Sequence, residues 1–496
     1  MTTQPPRRLW LWFWFCVLGA VVGVGCGEPT GTGDGGIDIC AEVRCDDEDD
    51  CTENVCDPGH PLVCIFPDAP EDTPCNEGGV CDGAGRCMEC NRDEHCLDDF
   101  NECLSPVCDA GTCSTAPLAD GTACAGGVCH AGDCALNGSV VPCTEQGIRN
   151  AIAAGGGPYA FDCDGPTVVT TVEEITIDND VVLDGGGNLA VHGNDEHRVF
   201  SVLEDVSAEI HGFTVTGGVA TREIDDQSCG GLANAGTLTL ANCVVSGNAA
   251  ASGGGGICNS SLLTLINSAV VGNTAKACGG LFNNGLTVLR NSTVSGNTAA
   301  SGGGGGICSS GPLTLVSSTV SGNSADYSGG IESSGTLMLT NSTVSGNTSE
   351  EGSGGIFNIG TATLESGTIV SNTVGGASGD IRNAGALMMT NTLVDGVCIG
   401  SAADITSDGH NIESPGDTCG LYRETDQVNV PRQHLQLQPL TDNGGPTMTH
   451  ALRSDSVAID RIPEMSCEME EDQRGVARPQ GAACDVGAFE LAQEEP

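Results

Sequence analysis

The sequence predicts an all-β fold in which two disulfide-rich modules precede a parallel β-helix, a solenoid of short stacked strands. Three observations support this prediction: a repeat with a period in the twenties, alternating apolar residues within each copy, and cysteines crowded into one N-terminal segment. A period of this length is typical of repeats that stack on their neighbours to build a continuous core.

The repeat occurs seven times between residues 230 and 383. Each copy reads Gly-Gly-Ile/Leu-x-Asn/Ser-x-Gly, then a stretch such as Thr-Leu-Thr-Leu, then one such as Asn-Ser-Thr-Val-Ser-Gly-Asn. Successive copies are 24 to 26 residues apart, as marked by Leu232, Ile257, Leu281, Ile307, Ile331, Ile356 and Ile381. The two-residue alternation at Leu238 and Leu240 predicts short strands. A leucine-rich repeat would need helical segments that the pattern lacks, so we favour a β-helix with about three strands per turn.

Equivalent residues of successive turns would stack about 4.8 Å apart. One inward-facing column would hold amides and hydroxyls: Asn234, Asn259, Asn283, Ser309, Ser333, Asn358 and Asn383. A buried asparagine stacked on its copies can satisfy its own donors and acceptor, so we assign this ladder to folding. A column of glycines is expected to need a positive φ: Gly236, Gly285, Gly311, Gly335, Gly360 and Gly385.

The remaining segments give the domain organisation. Upstream of the repeats, less regular strands are expected at 175–177, 181–183, 199–202 and 210–215. Residues 144–153 predict an amphipathic helix that covers the open end of the coil and hides its unpaired backbone. The predicted boundaries are a signal peptide at 1–25, a flexible linker at 26–39, cysteine-rich modules at 40–89 and 90–135, the capped β-helix at 136–396, a C-terminal region at 397–490 and a tail at 491–496.

The first 25 residues predict export. Arg7 and Arg8 precede an apolar run that is too short for a confident membrane span, and small residues then lead to Cys26. The sequence Gly-Val-Gly-Cys resembles a lipobox, whose cleavage would leave Cys26 as a lipidated N-terminus. A lipobox usually has leucine where Gly23 stands, so plain secretion is the alternative. The expected location is the cell surface, either anchored to the outer membrane or extracellular.

The charge of the chain restricts its partners. The formal net charge is -49, and removing the first 25 residues takes away two arginines and no acid, which gives -51. Such a surface repels nucleic acid and anionic membranes. The expected partners are the outer membrane, through the N-terminal lipid, and an unidentified protein or glycan. No cofactor is predicted, and calcium is an open alternative.

Cysteine usage divides the chain. Two eight-cysteine modules have equivalent members 47 to 52 residues apart: Cys40, Cys45, Cys51, Cys56, Cys64, Cys75, Cys81 and Cys87, then Cys90, Cys96, Cys103, Cys108, Cys113, Cys124, Cys129 and Cys134. This segment is poor in apolar residues, so disulfides are expected to hold it together. Metal thiolate is the rival interpretation, but export favours disulfides.

The other cysteines leave an odd count. Of 29 cysteines, Cys16 leaves with the signal and Cys26 would be acylated, so 27 remain and at least one thiol is unpaired. Local pairs are predicted for Cys143 with Cys163, Cys398 with Cys419 and Cys467 with Cys484, which leaves Cys229, Cys243, Cys258, Cys278 and Cys308 in the coil. Among these, the cysteines at equivalent positions of the repeat lie two turns apart, which is about 10 Å. A disulfide cannot span that distance. Pairing between different positions of the repeat or with another molecule therefore stays open.

The C-terminal segment contains four motifs: Asp442-Asn-Gly-Gly-Pro-Thr-Met-Thr-His-Ala-Leu, Ser456-Val-Ala-Ile-Asp, Asp472-Gln-Arg-Gly-Val-Ala-Arg-Pro and Cys484-Asp-Val-Gly-Ala-Phe-Glu. Through these motifs, residues 144–490 resemble the choice-of-anchor Q domain family of bacterial surface proteins, which have a pectin-lyase-like right-handed parallel β-helix. The repeats also resemble those of polymorphic outer membrane proteins used in adhesion. Because the sequence stops at Pro496 without a sorting motif or hydrophobic tail, the resemblance implies that Cys26 is the anchor.

Candidate catalytic residues are few. Pectin-lyase-like β-helices include lyases and glycosidases, which need an acid/base pair or a calcium-bound uronate opposite a basic residue. Asp178, Asp180 and Asp184 lie on early turns, and Asp408 with His410 superficially suggests a glycosidase site. The three aspartates lie near turn signals, where bonding to the backbone is common, and 408–412 resembles an ordinary repeat segment. We therefore assign no catalytic residue and no metal ligand.

The sequence is best interpreted as a non-catalytic cell-surface lipoprotein whose β-helix forms a rod for adhesion, recognition or envelope architecture. The first alternative is a polysaccharide lyase or glycoside hydrolase, which would need two or three carboxylates with an arginine on one lateral face. The second alternative makes the cysteine-rich modules a ligand- or protease-binding unit and the coil a spacer.

Overall fold

The structure, a computed structural model, describes residues 140–492 except 222–228, 401–403 and 468, together with short strands between residues 55 and 136. The chain divides into two compact units, 1–135 and 136–496. Among the described residues, no helix is both long and apolar enough to cross a membrane.

The first unit contains short strands, several of them in antiparallel pairs. The strands are Val55–Cys56, Cys64–Ile65, Pro74–Cys75, Gly79–Cys81, Cys87–Met88, Leu104–Asp109, Thr112–Pro117, Ala123–Cys124, Gly127–His130 and Asp133–Leu136. The pairing of the sixteen module cysteines lies outside the described residues.

The second unit is a parallel β-helix, so the predicted fold class is confirmed. One turn consists of Leu281–Asn283, Leu286–Arg290, Thr293–Ser295 and Thr298–Ala299, which adds a two-residue strand to the three expected. Each strand pairs in parallel with its equivalent in the next turn. We call the four rows of equivalent strands faces 1 to 4, in chain order within a turn.

The strand bounds are as follows. Face 1 contains Ile175–Ile177, Phe200–Val202, Leu232–Asn234, Ile257–Asn259, Leu281–Asn283, Ile307–Ser309, Ile331–Ser333, Ile356–Asn358, Ile381–Asn383 and Cys398–Gly400. Face 2 contains Thr237–Ala241, Leu262–Ile266, Leu286–Arg290, Leu313–Val316, Thr336–Thr340, Thr361–Glu365, Ala386–Thr390 and Ile405–Gly409. Face 3 contains Val244–Ser246, Ala269–Val271, Thr293–Ser295, Thr319–Ser321, Thr343–Ser345, Thr368–Val370, Leu393–Asp395 and Ile412–Ser414. Face 4 contains Val219–Ala220, Ala249–Ala250, Thr274–Ala275, Thr298–Ala299, Ser324–Ala325, Thr348–Ser349 and Thr373–Val374, and Ala377–Ser378 pairs antiparallel with the last of these.

The first turns are less regular. Val181–His192 and Ser207–Thr216 are long strands, and the second of them pairs with strands of both face 2 and face 3 in the next turn. The N-terminal strands are Val141–Pro142, Gly156–Asp162 and Thr167–Thr170. Each stretch where the sequence predicted an upstream strand contains one.

The predicted helix is present as Glu145–Ala154. The Thr144 hydroxyl caps it by accepting a hydrogen bond from the backbone N–H of Gly147 at 3.1 Å. Its apolar side packs on the coil, with Ile148 and Ile152 buried. A disulfide joins Cys143 to Cys163 beside this helix.

The interior is filled by inward-facing aliphatic columns. Leu281, Leu289 and Val294 of one turn have no exposed surface, and equivalent residues are buried in neighbouring turns. Burying such a side chain stabilises the fold by about 1.5–3 kcal/mol. The core is therefore a continuous apolar column along the coil.

The polar column of face 1 forms hydrogen bonds along the coil. The side-chain amide of Asn234 donates to Asn259 at 2.8 Å, Asn259 donates to Asn283 at 2.9 Å, and Asn358 donates to Asn383 at 2.8 Å. The two serines between Asn283 and Asn358 interrupt the amide series.

A second amide ladder, which the sequence analysis did not assign, is formed by the asparagine that follows face 3 in each turn. Its members are Asn248, Asn273, Asn297, Asn323, Asn347 and Asn372, and each donates to the next at 2.9–3.0 Å. The ladder ends at Asp380, whose carboxylate accepts from the Asn372 amide at 2.7 Å. Directional donors need a final acceptor, and this carboxylate supplies it.

The expectation of a positive φ in the glycine column of Gly236 to Gly385 is wrong. Positive φ occurs instead in the glycine that follows face 3, as at Gly272 and Gly296. A Cβ added at Gly285 or Gly360 would overlap the backbone of the preceding turn. Glycine is required there because two turns approach closely, and not because of the backbone angle.

Residues 430–492, which we call the C-terminal block, fold back against face 3. The block contains the helix Arg432–Leu435 and the 3₁₀ turn Glu464–Ser466. Its small apolar core includes Leu435 and Phe489 and is shared with Val370 and Leu393 of the coil. The strands of face 3 from residue 319 to 395 are consequently buried on both sides.

Candidate functional site

The early aspartates bond to nearby backbone. Asp180 accepts from the backbone N–H of Ser207 at 2.8 Å, and Asp184 accepts from that of Gly186 at 2.8 Å. Asp178 and Asp180 are exposed and line a shallow cleft with Asp205. These contacts are typical of turn-stabilising carboxylates.

His410 occupies a backbone position of the repeat. Its φ is 54°, and the equivalent turn residue is also left-handed at Asn291, Ser317, Asn341, Ser366 and Asn391. Asp408 is exposed and lies 3.4 Å from the guanidinium of Arg423. The structure therefore places His410 at a turn position of the repeat.

The coil cysteines pair between different positions of the repeat. Cys229 bonds to Cys258 and Cys278 bonds to Cys308, which links adjacent turns beside face 1. Disulfides also join Cys398 to Cys419 and Cys467 to Cys484.

One free cysteine remains among the described residues. It is Cys243, which lies in the core. Burial raises the pKa of its thiol to about 11. A buried neutral thiol is a poor nucleophile, so Cys243 is a core residue.

All variation in repeat length falls in one loop of each turn, between face 4 and face 1. We call these segments the variable loops; they are residues 251–254, 276–278, 300–304, 326–328 and 350–353. The rest of each turn keeps the same length, so the scaffold is constant and one edge changes. Loops held by a rigid scaffold commonly carry binding residues.

The outward side chains next to these loops also vary. The middle residue of each face 1 strand points outward, and this column reads Ala233, Cys258, Phe282, Cys308, Glu332, Phe357, Arg382 and Ile399. The variable loops and this column together form the candidate functional surface.

A cleft of about 420 Å³ opens on this surface, and we call it the acidic pocket. It is lined by Gly302, Gly303, Asp326, Tyr327, Glu332, Glu350 and Glu351. Residues from three successive variable loops and one face 1 strand therefore meet there.

Glu332 is the partly buried carboxyl of the pocket. Its Oε2 has no hydrogen-bond partner within the described part of the chain. Burial raises the pKa of the Glu332 carboxyl above its ordinary value. A proton, a cation or a donor group from a ligand would each relieve this oxygen.

An aromatic ring, that of Tyr327, lines the pocket. Tyr327 packs edge-to-face on Phe357 with centroids 5.4 Å apart. The Arg382 guanidinium lies 5.7 Å from the Tyr327 centroid and 5.2 Å from the Phe357 centroid. This stack combines charge with a flat apolar surface.

The acidic pocket can attract positive charge, because four carboxylates surround a partly buried space. A carboxyl whose pKa is raised by burial, placed beside other acidic side chains, is also the arrangement that a general acid requires. Among the described residues, no three or more His, Cys, Asp or Glu side chains are grouped to hold a metal ion.

The C-terminal motif residues form a buried network. Arg474 pairs with Asp472 at 2.6 Å and lies 3.6 Å from the Phe489 ring centroid. Arg478 lies 3.8 Å from the Glu490 carboxylate, and both side chains are almost fully buried. The charged residues of these motifs therefore hold the block together.

No family model and no curated protein matches the chain. Among solved structures, it is similar to that titled "Crystal structure of pectate lyase Pel9A", with a TM-score of 0.42 and 15% identity, over 69% of this chain and 90% of that chain. The fold assignment rests on the strand pairing described above.

Proposed function

We propose that the chain is an exported, non-catalytic surface protein whose β-helix presents its variable loops and face 1 to a partner, in adhesion, recognition or envelope architecture. The observation that carries this proposal is that the loop-length variation between residues 230 and 383 lies at one edge of the coil, beside a face 1 column whose outward side chains also vary. Repeat proteins commonly use such an edge for binding.

The partner is proposed to present positive charge to the acidic pocket. Asp326, Glu332, Glu350 and Glu351 lie together in a chain with a formal charge of -49. Attraction between opposite charges speeds the encounter with a cationic partner. Anionic partners such as polyuronides carry the same sign of charge as the pocket and are repelled. The aromatic surface of Tyr327 favours an organic cation, such as a lysine side chain or an amino sugar.

Anchoring through Cys26 is part of the proposal. The signal-like segment and the resemblance of the repeats and C-terminal motifs to the choice-of-anchor Q family support it. The variant Cys26→Ser is expected to remain unlipidated and to move from the membrane fraction to the soluble fraction. Unchanged membrane retention of that variant would contradict anchoring through Cys26.

The second candidate function is a polysaccharide lyase or glycoside hydrolase. The observation that favours it is the raised pKa of Glu332 beside Asp326, Glu350 and Glu351, with Arg382 on the same face. In such an enzyme Glu332 would donate the proton to the leaving oxygen.

Product release from polysaccharides separates these two functions. The purified mature chain would be incubated with acidic and neutral polysaccharides, with calcium present, between pH 5 and 8. The surface-protein proposal predicts no unsaturated or reducing ends. Release that is lost in Glu332→Gln and kept in Glu470→Gln, an exposed acid of the C-terminal block, would establish the enzyme and assign its site.

The third candidate function places binding in the cysteine-rich modules. Few of their residues are described, so deletion of 40–134 is the test. The first proposal predicts that the remaining chain keeps the binding, whereas loss of all binding would move the function to the modules.

A further inference from the structure

The C-terminal block is held on face 3 by a row of polar contacts. Thr343 donates to the Gln473 side-chain oxygen at 2.6 Å, and the Thr319 hydroxyl donates to the carbonyl of Met448 at 2.7 Å. In the other direction, the backbone N–H of Ala488 donates to the Thr368 hydroxyl at 2.9 Å. The block thus forms hydrogen bonds with the threonine hydroxyls of three successive turns.

His450 is a titratable residue in this contact. Its ring is buried, with Nδ1 2.7 Å from the carbonyl of Gln438 and Nε2 2.7 Å from the Ser345 hydroxyl. A carbonyl can only accept, so Nδ1 carries a proton, and Nε2 of the neutral ring accepts from Ser345. The neutral imidazole thus satisfies both contacts without placing a charge in the buried contact.

Charged groups near His450 are already paired. The Asp395 carboxylate, on the coil, attracts a proton to the ring but is bonded to the Arg432 guanidinium at 2.7 Å. Asp380, which interacts electrostatically with Asp395, accepts from Asn372 and Ser378. A second positive charge on His450 would therefore be poorly compensated in the docked state.

We propose that His450 is an acid-sensitive latch, whose protonation weakens the docking of the C-terminal block and uncovers face 3 between residues 319 and 395. Protonated Nε2 can no longer accept from Ser345, so the contact must reverse and the imidazolium stays buried. Both effects are absent once the block separates and the ring meets water.

The sign of the effect follows from the titration of His450. Burial lowers the pKa of His450 below its ordinary value of about 6.5. The neutral ring contributes docking free energy that is fully present above about pH 6.5 and is lost as the pH falls toward the lowered pKa. One proton changes the docking equilibrium by at most about tenfold per pH unit.

Hydrogen exchange at the contact tests the latch. The backbone N–H of Gly487 donates to the carbonyl of Asn391 and that of Ala488 to Thr368, so both report docking. Protection factors, which correct for intrinsic exchange, would be compared at pH 7 and pH 5. His450→Gln removes the titration, and His434→Gln changes an exposed histidine of the same block as a matched control.

The expected result is lower protection of these two amides at pH 5 in the wild type and in His434→Gln, and a smaller pH dependence in His450→Gln than in the wild type. Equal protection at both pH values in the wild type, or an unchanged slope in His450→Gln, would overturn the proposal. If His450→Gln fails to dock at pH 7, the ring signals of wild-type His450 decide instead. A titration midpoint below 6.5 that coincides with loss of protection supports the latch, and a midpoint at or above 6.5 refutes it.

Discussion

Cys243 shows how the position of a residue decides its chemistry. Its thiol is buried beneath the junction of faces 2 and 3 and donates to the carbonyl of Ile210 at 3.1 Å. Because burial raises its pKa to about 11, little thiolate forms near neutral pH. We expect a thiol reagent to leave Cys243 unmodified in the native chain at pH 8 and to modify it after unfolding without reductant. Rapid native labelling at Cys243, located by peptide mass, would contradict this assignment.

The buried carboxyl of Asp380 should make the free energy of unfolding depend on pH. Burial is the main cause that raises its pKa to about 7. A raised carboxyl pKa contributes stability that is present at low pH and is lost as the pH rises through that value. The variant Asp380→Asn keeps an acceptor for Asn372 without the charge, so we expect it to be more stable than the wild type at pH 8, by roughly 1–4 kcal/mol.

Denaturant unfolding at pH 5 and pH 8 measures this difference. The gain should shrink toward pH 5, where Asp380 of the wild type is already protonated. The control Asp408→Asn, on an exposed carboxyl, should change little at either pH. A variant Asp380→Asn that is less stable than the wild type at pH 8 would show that the charge itself is required.

At the scale of elements, the amide ladders hold the turns in register. Asn297 accepts from the backbone and side chain of Asn273 and donates to Val270 and Asn323, each at 2.9–3.0 Å. Replacing it with alanine leaves these buried groups without partners, which costs about 2–4 kcal/mol. The control Asn284→Ala removes an exposed amide of the same turn and should cost less than about 0.5 kcal/mol. Equal unfolding midpoints for the two variants would refute a structural role for the ladder.

The repeat made the strands and the first aliphatic column predictable, because period and alternation are local signals. The ladder of Asn248 to Asn372 was missed, since the left-handed residue before each asparagine, a glycine or Ser371, turns that side chain inward and breaks the simple alternation. The variable loops carried a readable signal: the repeat period differs between copies only through their length. The local sequence carried no signal that Glu332 Oε2 would lie buried without a hydrogen-bond partner among the described residues, because the residues around it come from several turns.

At the scale of the whole molecule, the C-terminal motifs prove to be docking residues. Gln473 bonds with Thr319, Thr343 and Thr447, although the first two are more than a hundred residues away in sequence. Contacts at this separation follow from the path of the chain and not from any local pattern, so the motifs could be recognised in the sequence but not placed. With face 3 covered from residue 319 to 395, we propose the edge between faces 4 and 1, which holds the acidic pocket, as the surface that meets a partner.

Binding of a cationic probe tests this account most directly. A lysine-rich peptide would be titrated into the wild type and into a triple variant of the pocket, Glu332→Gln, Glu350→Gln and Glu351→Gln. The matched control carries Glu173→Gln, Glu196→Gln and Glu204→Gln, three exposed acids on early turns, so the net charge changes equally. We expect saturable binding that weakens at least about tenfold in the pocket variant, about 1.4 kcal/mol, and much less in the control. Equal weakening in both variants, or no binding by the wild type, would contradict recognition through the acidic pocket.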